Sequence, residues 1–77
     1  MFTIMDRIHP CVHAITATEA DAIIFVAQFL KEYDYTLDYM GRVFPRAPLT
    51  IRAYAQVNEK KIVEIEFLIQ EVEEWTP

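Results

Sequence analysis

Apolar residues recur along the chain with two different periods. Between Thr16 and Tyr33 the period is helical: Ala20, Ile23, Ile24, Ala27 and Leu30 stand at i, i+3, i+4, i+7 and i+10. A second set, Ala22, Phe25, Val26, Phe29 and Tyr33, covers much of the remaining circumference, and the polar Glu19, Asp21, Gln28, Lys31 and Glu32 sit mostly near the ends. Two overlapping capping signals, Thr16-x-x-Glu19 and Thr18-x-x-Asp21, mark the start. Glu19 and Asp21 also place negative charge at the positive end of the helix dipole.

The last third alternates instead. Leu49, Ile51, Ala53, Ala55 and Val57 interleave with Thr50, Arg52, Tyr54 and Gln56, and Val63, Ile65, Phe67 and Ile69 with Glu64, Glu66, Leu68 and Gln70. This predicts an antiparallel hairpin turning about Asn58 to Lys61, apolar on one face. For the two apolar sets to share that face, opposed residues must have numbers summing to an even value such as 118 or 120. The 118 register sets Arg52 against Glu66, a favourable cross-strand pair.

The remaining segments are weaker. Phe2 to Ile8 reads as a first strand, stopped by Pro10, which cannot donate to a ladder. Cys11 to Thr16 reads as a short second strand or an extended approach to the helix. Tyr33 to Met40 carries both patterns: Tyr33, Tyr35, Leu37 and Tyr39 alternate with Asp34, Thr36 and Asp38, yet Leu30, Tyr33, Leu37 and Met40 also share a helical face. Continuity with the upstream stripe favours a helix persisting to Met40, with Gly41, the only glycine, at its C′ position. Arg42 to Pro48 is a stiff connection set by its prolines.

These elements predict a single α+β domain over residues 1–77: one central helix packed on a small antiparallel sheet of three to four strands, in the order β(β)αββ with a C-terminal hairpin. A helix apolar nearly all round is buried on more than one side. A chain of 77 residues has little surface to bury, and its single cysteine, Cys11, excludes an internal disulfide. The expectation is therefore a homodimer, with Ala22, Phe25, Val26 and Phe29 as the self-association face.

The net charge of −5 argues against direct nucleic-acid binding, which needs clustered Lys and Arg. The longest apolar run, Ala22 to Ala27, is too short to span a bilayer, and Met1 to Arg7 lacks the pattern of a secretion signal. A cytoplasmic protein with no membrane contact is the expectation. Six acids fall between Glu59 and Glu74 against only Lys60 and Lys61. Glu64, Glu66, Glu71, Glu73 and Glu74, with Tyr54 and Trp75, are thus the candidate contact surface for a partner protein, together with Arg42, Phe44 and Arg46.

One group resembles chemistry: His9-Pro10-Cys11-Val12-His13, whose imidazole and thiol side chains are zinc donor types. On a straight strand His9 and His13 lie about 13 Å apart, too far for one ion to take all three. Two of them would need Asp6, Glu19 or a neighbouring chain to complete a shell, so no metal, cofactor or catalytic residue is expected. The functional expectation is a non-catalytic, stoichiometric protein-binding module of the kind seen in small acidic inhibitors, including virus-encoded ones, that occupies a basic groove, even one made for nucleic acid. The alternative is a small metal-dependent or thiol enzyme using His9, Cys11 and His13.

Overall fold

Thr18 caps the helix in the computed structural model, which describes residues 1–8, 11–59 and 61–72. Its backbone is extended, and its side-chain oxygen accepts from Asp21 N at 3.1 Å. The helix, α1, runs Glu19–Glu32. Around it the chain forms β1 (Phe2–Asp6), β2 (Cys11–Thr16), β3 (Thr36–Gly41), β4 (Leu49–Asn58) and β5 (Lys61–Glu71). The five strands make one antiparallel sheet in the order β2-β1-β5-β4-β3, so the fold is α+β with one helix on a five-stranded sheet.

The helix does not continue to Met40. Asp34 takes a positive φ of 61°, which turns the chain out of the helix. Tyr35 N then donates back to Leu30 O at 2.8 Å, the long-range bond of a Schellman closure, and Tyr35 packs against the core. With the helix ended there, the alternation in Thr36–Gly41 forms an edge strand paired with β4. Gly41 does not cap the helix. A Cβ on it would lie 2.7 Å from the Tyr39 hydroxyl, so the glycine leaves room for that phenol.

β4 and β5 pair in the 118 register, with Leu49 opposite Ile69, Ile51 opposite Phe67 and Ala53 opposite Ile65, and the ladder shifts near its turn between Gln56 and Asn58. These six side chains are buried under the helix with Ile4, Ala22, Val26 and Leu30. Toward the hairpin tip the cover ends, and Val57 is exposed. Full burial of an aliphatic side chain such as Val26 contributes about 1.5 to 3 kcal/mol, so this layer contact is the main source of stability.

The helix uses the stripe Ala22, Val26 and Leu30, with Phe25 and Phe29 partly buried beside it. Two of the four residues expected on the self-association face are taken up by this packing. Ala22 and Val26 are 0% and 1% exposed against the chain's own sheet, so they offer nothing to another molecule. The outward side carries Ala20, Ala27 and the half-exposed Ile24, a mostly small-residue surface that costs little to leave in water.

Candidate functional site

Three regions bring the candidate residues together. The first lies on the helix side of the sheet, where β1 meets the edge strand β2. Asp6 sits opposite Cys11, and the ladder is regular again at Ile4 opposite Ala14; between these pairs the register shifts, leaving His13 as the extra residue. The bulge turns His13 inward, where its ring meets Phe29 and Phe67 edge-on at centroid distances of 5.6 and 5.2 Å. There His13 Nε2 lies 3.6 Å from Cys11 Sγ and 3.6 Å from Asp6 Oδ2. Asp6 is only 3% exposed, and its other carboxylate oxygen accepts from Ile8 N at 2.9 Å, which fixes the orientation of the group. Cys11 is exposed. His9 lies outside the described residues.

This geometry decides between two chemistries. In a thiol nucleophile triad the carboxylate holds one imidazole nitrogen while the other takes the proton of the thiol. Here the thiol and the carboxylate face the same nitrogen, so no relay from Asp6 through the ring to Cys11 exists. A common centre for three donors is what the arrangement offers instead.

The second region is the face of the sheet turned away from the helix. A ladder of charge crosses it: Arg7 Nη1 is 3.2 Å from Glu66 Oε1, Arg52 Nε is 3.5 Å from Glu66 Oε2, and the Arg52 guanidinium stands 5.7 Å from the centre of the Tyr39 ring. Glu66 opposite Arg52 follows from the predicted register; Arg7 and Tyr39 were not among the candidates, because only the neighbouring strand registers bring them in. Beside this ladder runs an apolar row in which Val12 pairs with Met5 and Met5 with Leu68, with Ile15 one step along β2. Val12 and Ile15 are 54% and 59% exposed.

The described residues of the acidic stripe divide between the two faces of the sheet. Glu64, opposite Tyr54, and Glu66 share this outer face, but Glu66 is bracketed by two arginines. Glu71 has the parity of the buried Phe67 and Ile69 and turns to the other face. Glu73, Glu74 and Trp75 lie outside the described residues.

The third region is an open cleft of about 580 Å³ at the start of the helix, lined by Phe2, Glu19, Arg42, Arg46, Ile69 and Glu71 among others. Arg42 forms an ion pair with Glu19, which removes it from the basic pair expected of Arg42 and Arg46, while Phe44 is 60% exposed. No helix among the described residues is long and apolar enough to cross a membrane. Compared with protein families, with curated proteins and with solved structures, the chain finds no match in any of the three.

Proposed function

We propose that the protein is a non-catalytic binding module that acts stoichiometrically and works as a homodimer joined through the outer face of its sheet. The observation that carries this reading is the uncovered apolar row. Val12 and Ile15 are more than half exposed on a face over which the described residues lay no second layer, with Met5 and Leu68 beside them. An apolar strip flanked by polar groups is the usual anatomy of a protein interface.

The charges beside the row bear on what binds there. Arg7, Glu66, Arg52 and Glu64 place both signs side by side, so the face is close to neutral although the chain carries −5. A two-fold contact sets a surface against its own copy, which mixed signs permit and a uniformly acidic face would oppose. A dimer formed this way leaves the excess negative charge on its outside, where it suits a partner protein with a basic surface. A cytoplasmic inhibitor of such a partner is the finer form of this reading.

Light scattering on size-separated protein tests the dimer. The unaltered chain is expected at twice its monomer mass, and the double substitution Val12→Lys with Ile15→Lys at the monomer mass with an unchanged circular dichroism spectrum. A monomeric unaltered chain, or a double variant that still dimerises, overturns the assignment.

A further inference from the structure

We infer that Asp6, Cys11 and His13 form a binding site for a zinc ion, with one coordination position left open. The inference is independent of the dimer reading, since the site lies on the helix side of the sheet and the proposed interface on the other.

Zinc takes thiolate, imidazole and carboxylate donors at about 2.0 to 2.3 Å in a tetrahedral array, which fixes the separations between ligand atoms at about 3.4 to 3.6 Å. Two of those separations are already present: Cys11 Sγ to His13 Nε2 and His13 Nε2 to Asp6 Oδ2 are both 3.6 Å. The three donor atoms all lie within 4.8 Å of one another. Adjustment of the exposed Cys11 side chain by about an ångström closes the third edge.

The three donors come from two neighbouring strands and stand close enough together for a single cation to take all of them. The softness of the set selects the ion, because a thiolate with an imidazole favours zinc over magnesium or calcium.

The surroundings resemble those of a working metal site. The Ile8 amide orients the buried carboxylate from behind. The Phe29 and Phe67 rings hold the imidazole from the core side. Cys11 is exposed, so the donor group opens to solvent on that side.

The test uses the full chain without an affinity tag, stripped by a chelator and titrated with Zn²⁺ and with Co²⁺. One ion per chain is expected, with a thiolate-to-cobalt charge-transfer band and tetrahedral cobalt absorption. Zinc should slow alkylation of Cys11 at least about tenfold and raise the melting temperature. Cys11→Ser should abolish the charge-transfer band, and Asp6→Asn should weaken zinc binding at least about tenfold. Cys11 is exposed, so its serine variant keeps the test valid if Asp6→Asn fails to fold. Absence of zinc binding overturns the proposal, as does binding that Cys11→Ser leaves unchanged or a Cys11 alkylation rate indifferent to zinc.

Discussion

Replacing Phe67 by alanine removes the side chain at the centre of the helix–sheet contact. Phe67 is 0% exposed, and its ring packs edge-on against Phe29 at 5.2 Å and against His13 at the same distance. Truncating a fully buried phenylalanine costs about 3 to 5 kcal/mol, part of it lost transfer energy and part the cavity left behind. A chain of 77 residues has a total stability of about 4 to 12 kcal/mol at 0.05 to 0.15 kcal/mol per residue, so this one change removes a large fraction of it. With a urea dependence of about 1 kcal/mol/M, the unfolding midpoint should fall by about 3 M or more, or the variant should be unfolded in buffer. The control is Ile62→Ala on the same strand, where the side chain is 61% exposed and the expected cost is about 0.5 kcal/mol or less. Urea titration followed by circular dichroism, at one protein concentration, reads both. A Phe67→Ala midpoint within about 1 M of the parent, or equal shifts for the two variants, would refute the placing of the helix on this face.

Asp34→Gly should stabilise the chain by about 0.5 to 1 kcal/mol, because an L-residue with a side chain is disfavoured at φ 61°; a melting temperature raised by several degrees would show it, and Asp34→Val should move it the other way. Glu66→Gln keeps the shape but releases Arg7 and Arg52. Since those arginines are 67% and 48% exposed, the expected loss is about 1 kcal/mol or less, and it should shrink as salt is added in a melt at two ionic strengths.

Strand pairing was the most legible part of the fold. The parity of Leu49 to Val57 against Val63 to Ile69 left few registers open, and the Arg52–Glu66 pair distinguished the one the hairpin adopts. Two features were hidden for a physical reason. Asp34 has a side chain and does not advertise a left-handed conformation as glycine does, so the end of the helix could not be separated from the apolar stripe running on to Met40. Both sides of the helix are apolar, and which one packs inward depends on how closely a small residue such as Ala22 lets the sheet approach. The donors of the proposed zinc site are visible by type, with Asp6 able to complete a shell, yet their spacing on a straight strand argues against a metal. A straight strand keeps His13 pointing parallel to Cys11, and only the extra residue in β2 brings the two together. Of the described acidic candidates, Glu66 and Glu71 face opposite ways because an odd number of positions separates them along β5, a parity already present in the sequence.

The position of β5 between β1 and β4 governs the order in which the molecule can be built. Until residues 61–71 leave the ribosome, the β1–β2 hairpin and the β3–β4 pair have no shared neighbour, and the greasy side of α1 has only half a floor. Closure must await contacts between segments more than sixty positions apart, such as Phe2 with Glu71, a topology that slows folding and leaves a nascent chain open to chaperones meanwhile.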